Sequence, residues 1–110
     1  MLALVVDPRS GARLAFGSGG TILRSEELGR SWQPVASGTD QDLRAGVVEP
    51  RSGALFAVGK GGTLLRSDDG GRTWRRLRTH TRKNLKGALL DPRSGALVAY
   101  SERIVRLERP

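Results

Sequence analysis

The chain lacks cysteine, and among its 110 residues it has one histidine and few aromatic side chains: two tryptophans, two phenylalanines and one tyrosine. Without cysteine there is no disulfide framework and no thiolate metal site. The single histidine, His80, excludes a histidine metal cluster or a histidine-based triad built within one chain. We therefore expect His80 to be a linker residue, and we predict neither a cofactor nor a bound metal.

Long hydrophobic runs are also missing. No stretch approaches the ~20 apolar residues that a membrane-spanning helix needs, so no membrane span is predicted. The N-terminal sequence MLALVVDPRSG has a short apolar run and no basic residue before it, which is not the pattern of a signal peptide. These absences leave the localisation of the protein open.

One segment of the sequence is repeated. Residues 5–32 and 47–74 align without a gap and are identical at 18 of 28 positions. A third copy begins at Leu89, again 42 residues later, where DPRSG at residues 91–95 repeats residues 7–11. A period of about 40–50 residues is typical of four-stranded propeller blades, which bury their faces by stacking on one another.

Alternating apolar residues and turns that contain proline or glycine predict four short antiparallel strands in the second copy. The predicted strands are Gly46–Val48, Ala54–Val58, Thr63–Arg66 and Thr73–Thr79. Over the whole chain this pattern predicts eleven strands, beginning with Leu2–Val6. In the fourth strand Trp74 and Leu77 are three residues apart and so point to opposite faces, which indicates a sheet that is covered on both sides.

The turn before each fourth strand carries a motif. SDDGGRTW at Ser67–Trp74 fits the pattern S-x-D-x-G-x-T-W at all five fixed positions, and SEELGRSW at Ser25–Trp32 is a degenerate copy. We expect the hydroxyl and carboxylate to accept hydrogen bonds from turn amides, the glycine to supply a positive φ, and the tryptophan to anchor the hairpin by burial. The predicted structural residues are Ser67, Asp69, Gly71, Thr73 and Trp74 in one copy, and Ser25, Glu27, Gly29, Ser31 and Trp32 in the other.

With this motif, known as the Asp box, the chain resembles the Asp-box (bacterial neuraminidase repeat) β-propellers. It is most similar to the group of photosystem II stability/assembly factor-like proteins, whose blades read like FAVGKGGTLLRSDDGGRTW at Phe56–Trp74. The resemblance implies an all-β fold: part of a β-propeller with about two and a half four-stranded antiparallel blades. It also implies a role in the assembly or stability of a larger protein complex, and export to a periplasm or a thylakoid lumen.

The repeat predicts a single partial propeller domain over residues 1–110. Blade 1 would take residues 1–42, blade 2 residues 43–84, and an incomplete blade 3 residues 85–110. Closed propellers use ~4–8 blades, and a blade without a neighbour exposes an apolar face. We therefore expect either further blades or self-association of several chains to complete a ring.

The net charge of +8 is unevenly distributed. Residues 1–46 contain five basic and five acidic residues, whereas residues 47–88 contain ten basic and three acidic ones. Because the first copy is neutral or acidic at most of the matching positions, the fold does not require this charge, and we predict a surface for an acidic protein partner. The predicted partner-binding residues are Arg72, Arg75, Arg76, Arg78, Arg82, Lys83 and Lys86, joined by Arg24, Arg66 and Arg106, which recur at one point of the third strand.

Each of these features also has a purely structural interpretation. The basic stretch would then be a solvated outer strand whose arginines block edge-to-edge aggregation. Arg24, Arg66 and Arg106 would form ion pairs with acids of the motif such as Glu27 and Asp69, or with a neighbouring blade. The glycine-rich Gly59–Thr63 lacks phosphate-loop spacing and is predicted to be a turn, and Asp68 and Asp69 offer too few oxygens for calcium.

An enzymatic function is disfavoured by the sequence. Sialidases share only the Asp box with this chain, and they use an arginine triad, a Tyr–Glu pair and a further acid; here Tyr100 is the only tyrosine, and the nearby Glu102 lies in a shortened turn. We predict a non-catalytic propeller module that binds a partner protein through its basic surface. The alternative is a generic polyanion-binding module for acidic glycans, lipid headgroups or nucleic acid. Nucleic acid is disfavoured because no aromatic stacking platform is evident, and a sialidase-like glycoside hydrolase is the least favoured function.

Overall fold

The computed structural model describes residues 3–79, 81–91, 93–101 and 104–106, the last with its backbone only. These residues form eleven strands and two short 3-10 turns, Ser18–Gly20 and Lys60–Gly62. The strands are β1 Ala3–Val6, β2 Arg13–Phe16, β3 Ile22–Ser25, β4 Gln33–Val35, β5 Leu43–Val48, β6 Leu55–Gly59, β7 Leu64–Ser67, β8 Arg75–Leu77, β9 Gly87–Leu90, β10 Leu97–Tyr100 and β11 Ile104–Arg106. The predictions for His80, for Glu102 and for the side chain of Arg106 fall outside the described residues.

The strands form three antiparallel sheets in chain order, β1-β2-β3-β4, β5-β6-β7-β8 and β9-β10-β11. Each sheet is a meander, and we refer to the three as blades 1, 2 and 3. Their first strands lie side by side, β1 against β5 and β5 against β9. This confirms the predicted all-β fold, a partial propeller with two four-stranded blades and a third blade of three strands.

The blades are held together by two hydrophobic cores, one on each side of blade 2. The first contains Val5, Leu14 and Phe16 of blade 1 together with Leu55 and Leu65 of blade 2. The second joins buried side chains of blades 2 and 3: Phe56, Val58, Leu64, Leu85, Leu97 and Ala99. Blade 2 therefore has two buried faces, as the apolar residues on both sides of its strands predict.

Trp74 and Leu77 lie on opposite faces of blade 2, as their spacing predicts. Trp74 packs on the first core and Leu77 on the second. The Trp74 ring meets Phe16 of blade 1 edge to face, with 5.5 Å between centroids and perpendicular planes. Trp74 is half-buried rather than fully buried, because its ring closes the border of the core rather than its centre.

Several strand limits differ from the predicted ones for local reasons. The fourth strand of blade 2 is only Arg75–Leu77, because Thr73 is engaged in the preceding hairpin and Thr79 in the following connection. The first strand begins at Leu43 rather than Gly46, and its pairing with β6 shifts register between Leu43 and Ala45. Such a β-bulge breaks the apolar alternation on which the prediction rested.

The connections between blades fold back over the glycine turns of the blade before them. After blade 1, the Gly17 carbonyl accepts a hydrogen bond from Leu43 N; after blade 2, Gly59 O accepts the same bond from Leu85 N. A Cβ on Gly62 would lie 1.9 Å from the carbonyl oxygen of Thr81, so only glycine fits at that turn. The segment Gly59–Thr63 is thus a docking turn for the next blade.

The position of Trp74 between two blades leads to a stability prediction. Trp74→Ala should lower the free energy of unfolding by about 2–4 kcal/mol, because it opens the first core and removes the edge-to-face contact with Phe16. Chemical denaturation followed by circular dichroism measures this change. Trp32→Ala is the matched control: Trp32 keeps the equivalent hairpin bond, from its Nε1 to Gly29 O, but lies outside both cores. Equal losses for the two variants would contradict the role of Trp74 as an interblade contact.

Candidate functional site

The two hairpins at Ser25–Trp32 and Ser67–Trp74, which we call the box hairpins, share a network of hydrogen bonds. In the second, Ser67 Oγ accepts a bond from Gly71 N at 2.9 Å, and Trp74 Nε1 donates to Gly71 O at 2.9 Å. The positive φ of Gly71, 87°, lets the chain turn between these bonds. The first box hairpin repeats this arrangement with Ser25, Gly29 and Trp32.

The acid of each box hairpin accepts hydrogen bonds from residues of its own turn. Asp69 Oδ1 accepts hydrogen bonds from Ser67 Oγ at 2.8 Å and from Thr73 N at 2.9 Å, and its Oδ2 accepts one from the Thr73 hydroxyl. Burial opposes its ionisation, but these bonds outweigh burial and lower the pKa of Asp69 to about 2. In the first hairpin Glu27 accepts a single side-chain bond, from Ser31 at 3.0 Å. Asp69 therefore serves the hairpin with both of its oxygens, whereas the exposed Glu27 serves it with one.

Arg24 and Arg66, the two recurring arginines whose side chains the structure describes, are not free at the surface. Arg24 is only 8% exposed; its Nε donates to Gly70 O of blade 2 at 2.9 Å, and its Nη1 to Glu26 at 2.6 Å. Arg66 pairs with Asp68 at 2.8 Å and lies over the ring of Phe56. The predicted ion pairs exist, but their acids are Glu26 and Asp68 rather than Glu27 and Asp69, because a residue two positions on lies on the same side of the strand.

Two further arginines of the predicted surface are also engaged. Arg72 reaches Glu26 of the neighbouring blade at 3.3 Å, and Arg75 approaches Asp68 at 3.6 Å. Hydrogen bonds from Arg24 and then from Arg72 lower the pKa of Glu26. Arg24 and Arg72 thus share Glu26, and Arg66 and Arg75 share Asp68, so each of these arginines already has an acidic partner beside the box hairpins.

The remaining cations of the basic stretch are exposed, and within the described part of the chain they have no acidic partner: Arg76, Arg78, Arg82, Lys83 and Lys86. They border two depressions. One, of about 580 Å³, is lined by Arg76, Arg78 and Arg82 beside the Gly61–Gly62 turn. The other, of about 360 Å³, is lined by Arg82, Lys83 and Lys86. Arg82 borders both and so joins the two parts of the surface.

Arg44 also lines the smaller depression, although it was not among the predicted partner-binding residues. It lies at the bulge of β5, where the register shifts between its neighbours Leu43 and Ala45. The repeat held a signal for it, since Arg44 lies 42 residues before Lys86 and so occupies the same blade position. Charge counted along the chain missed it because its neighbours in sequence are not basic.

No metal-binding constellation is evident in the described ranges, which hold no group of three or more His, Asp or Glu side chains placed to share an ion. The Tyr100 ring packs across Gly87 of the adjacent strand. Nor do the described residues include a helix long and apolar enough to cross a membrane.

Comparison with known proteins supports the fold and does not indicate a function. No family pattern and no curated protein matches the chain in sequence. Among solved structures, the chain is similar to the crystal structure of an ancestral GH74 enzyme, with a TM-score of 0.71 and 20% sequence identity over 88% of this chain. The match covers 16% of that enzyme, which has a propeller-type fold, so the chain corresponds to a small part of a larger propeller structure.

The Asp69 carboxylate leads to a prediction about pH. Its pKa is about 2 in the folded protein and near 3.8 when unfolded, so the stability it supplies is complete above about pH 4 and is lost as the pH falls toward 2. Because Asp69 is partly in water, we expect a contribution of about 1 kcal/mol rather than the full unscreened shift. Thermal melting from pH 5 to pH 2 should show a smaller acid-induced loss for Asp69→Asn than for the unaltered protein.

Asp40→Asn is the control for this measurement, since Asp40 is exposed and accepts no hydrogen bond from the described residues. Its melting profile should follow that of the unaltered protein through the whole acid range. An Asp69→Asn profile that also follows it would show that the hairpin bonds do not favour the charged carboxylate.

Proposed function

We propose that this chain is a non-catalytic β-propeller module that binds a partner protein with an acidic surface. The observation that carries the proposal is a set of four exposed cations that have no acidic partner within the described residues: Arg76, Arg78, Arg82 and Lys83. The matching residues of blade 1 are Pro34, Ala36, Asp40 and Gln41, and blade 1 forms the same four-stranded sheet with them. Charge that the fold does not need is available for recognition.

Blade position supports a binding role for this surface. β8 is the last strand of its sheet, and among the described strands it pairs only with β7, which leaves its other edge for a partner. Arginine presents a planar set of donors that matches carboxylates in a bidentate manner. An acidic protein surface offers such carboxylates at fixed positions, so it fits a row of guanidinium groups along one strand and its connection.

The resemblance of the box hairpins to the Asp box supports a more specific proposal. The SDDGGRTW hairpin and the blade sequence around it are similar to those of photosystem II stability/assembly factor-like proteins. We therefore place this module among proteins that assist the assembly or stability of a larger complex. The partner would be a subunit of that complex.

The state of the carboxylates argues for a non-catalytic role. Glycoside hydrolases use a pair of carboxyl groups, of which the general acid has a raised pKa. Among the described residues, every carboxyl group with a shifted pKa has that pKa lowered by hydrogen bonds, which at Asp7 and Asp69 outweigh burial: Asp7, Glu26, Asp42, Glu49 and Asp69. Each is committed to a turn or an ion pair, which suits a structural carboxylate and not an acid catalyst.

A generic polyanion-binding module is the second candidate function, and the same cations favour it. Both kinds of binding weaken as salt rises, so competition by other polyanions distinguishes the two functions. A protein partner should bind with fixed stoichiometry and should not be replaced by heparin or duplex DNA. A polyanion-binding module should bind both probes, with affinity that falls steeply and continuously with salt.

A four-residue exchange tests the proposal. Replacing Arg76, Arg78, Arg82 and Lys83 with Pro, Ala, Asp and Gln gives blade 2 the residues of blade 1, and Pro34 is already accommodated in the outer strand β4. Because exposed charges contribute only ~0–1 kcal/mol per pair, melting should hardly change. Association with an acidic partner protein should slow by ~10–10³ at low salt.

The partner is to be isolated from an extract of the source organism at low salt, purified, and measured by surface plasmon resonance against both forms of the module. The control is the double variant Arg9→Ala with Arg30→Ala. Both residues are in blade 1, so this variant loses positive charge but keeps the proposed surface intact. Undiminished binding by the exchanged form at low ionic strength would overturn the proposed surface. Equal binding of heparin and the purified partner would favour the polyanion function.

The outer faces of blades 1 and 3 support a second proposal, that these faces stack on further blades, either in a longer chain or in another copy. Leu4 is 63% exposed and Val6 51% on blade 1, and Leu89 is 53% exposed on blade 3. The isolated chain should therefore self-associate at micromolar concentration in sedimentation experiments, and Leu89→Lys should reduce this association. A stable monomer at that concentration would count against the proposal.

A further inference from the structure

The smaller depression lies where blades 2 and 3 meet, and it is built from three separate parts of the chain. Arg44 comes from the bulge at the start of β5, and Arg82, Lys83, Asn84 and Lys86 from the connection between the blades and the start of the next; Ser101 follows β10. Four of these six side chains are cations, and none is an acid. A space of about 360 Å³ is large enough for a small ligand.

Arg44 is the residue that points to a ligand. Its Nε is shielded from solvent and has no hydrogen-bond partner in the described part of the chain. A buried donor without an acceptor is costly, and more so when its group is charged. The nearby acid Asp42, two residues earlier, is already engaged by the Gly19 amide at 2.8 Å and by Lys60 at 3.1 Å. Arg44 therefore needs an acceptor that the described residues do not supply.

The equivalent junction between blades 1 and 2 shows that this charge is not a property of the fold. There, Asp40, Gln41 and Asp42 take the places of Arg82, Lys83 and Asn84. Both connections dock in the same way, with Leu43 N bonded to Gly17 O in one and Leu85 N to Gly59 O in the other. Two connections that dock through the same backbone bond thus carry acidic side chains at one junction and basic side chains at the next.

Asn84 shows this difference most clearly. Asp42 Oδ1 accepts a hydrogen bond from Gly19 N at 2.8 Å, and Asn84 Oδ1 accepts the equivalent bond from Gly61 N at 3.0 Å. The amide keeps the bond that holds the connection but removes the negative charge, and its NH₂ group adds a donor. Asparagine in place of aspartate therefore removes a charge that would repel an anion and adds a donor that can bind one.

We infer that the depression between blades 2 and 3 binds a small doubly charged oxyanion of the phosphate class, either free or carried as a phosphate monoester. Arg44 supplies guanidinium donors, Lys83 and Lys86 ammonium groups, and Asn84 an amide. The donors outnumber the acceptor positions of one carboxylate and come from several directions, which suits the several oxygens and the charge near −2 of a phosphate. This site shares Arg82 and Lys83 with the proposed partner surface, but the inference does not require that a partner protein binds there.

The test is a titration of the full chain with inorganic phosphate, followed by ¹⁵N NMR including the Arg44 Nε–H signal. We expect saturable binding with a shift of that signal. Asn84→Asp should weaken phosphate binding about tenfold or more, because it places a negative charge among the donors. The precedent of Asp42 indicates that this variant keeps the bond to Gly61 N, and its melting temperature should stay within a few degrees of the unaltered value.

Two controls make the result specific. Gln33→Glu adds the same charge on the outer strand of blade 1 and should leave the affinity for phosphate within about twofold, since exposed charges at a distance are screened. Arg44→Met keeps the apolar stem but removes the guanidinium, and it should abolish saturable binding. The four-residue exchange also removes Arg82 and Lys83 from this depression, so it is not used here. Arg76→Pro with Arg78→Ala, scored with the partner protein, and Arg44→Met, scored with phosphate, keep loss of the partner function and loss of the phosphate site distinguishable.

Vesicles distinguish the source of the anion. Binding to phosphatidylcholine vesicles that contain phosphatidate, with the same loss in Asn84→Asp, would assign the site to a phosphate carried on a headgroup. Binding of inorganic phosphate without binding to these vesicles would assign it to a free phosphate. The inference is overturned if neither probe binds saturably, or if Asn84→Asp binds as tightly as the unaltered chain.

Discussion

The close approach of neighbouring first strands is the constraint on which the rest of the structure depends. β5 packs so near to blade 1 that a Cβ on Gly46 would lie 2.7 Å from side-chain atoms of both Phe16 and Val5. Only glycine allows this approach, and the approach closes the first core around Trp74. Since each blade is a thin antiparallel sheet, it has no core of its own, and its stability comes from this stacking.

The position equivalent to Gly46 holds a large side chain on the outer face of blade 1. Leu4 occupies the place of Gly46, and Arg13 that of the fully buried Leu55. Leu4 is largely exposed and Arg13 half-buried. A neighbour stacked on blade 1 in the way that blade 1 stacks on blade 2 would meet the Leu4 side chain where Gly46 leaves room. A blade stacked on this face would therefore have to pack in a different way from the junction between blades 1 and 2.

The repeat predicted the architecture well because stacking leaves a periodic record in the sequence. Apolar residues on both faces, turns with proline and glycine, and a 42-residue period led to eleven strands and sandwiched sheets. The strand limits were harder to predict, because the bulge at Arg44 and the docking of the connections depend on contacts between blades. Alternation within one strand carries no information about a carbonyl supplied by another blade.

The surface was predicted less well, because charge along the chain does not show which ions meet in space. Arg24, Arg72 and Arg75 count equally with Arg76 in the sequence, yet the first is buried and the other two meet Glu26 or Asp68. Arg44 contributes to the basic depression from a distant segment that carries no charge cluster.

The two junctions between blades show how this fold separates structure from recognition. The backbone bonds of the connections and the side-chain bond to the glycine turn are kept at both junctions, whether Asp42 or Asn84 makes the latter. The side chains that point outward from the same backbone change from acidic to basic. Because the glycine turn and the stacked first strands carry the stability, exposed charges at a junction can change with little effect on folding. Repetition thereby provides several equivalent sites, of which one can acquire a ligand while the others keep only their structural role.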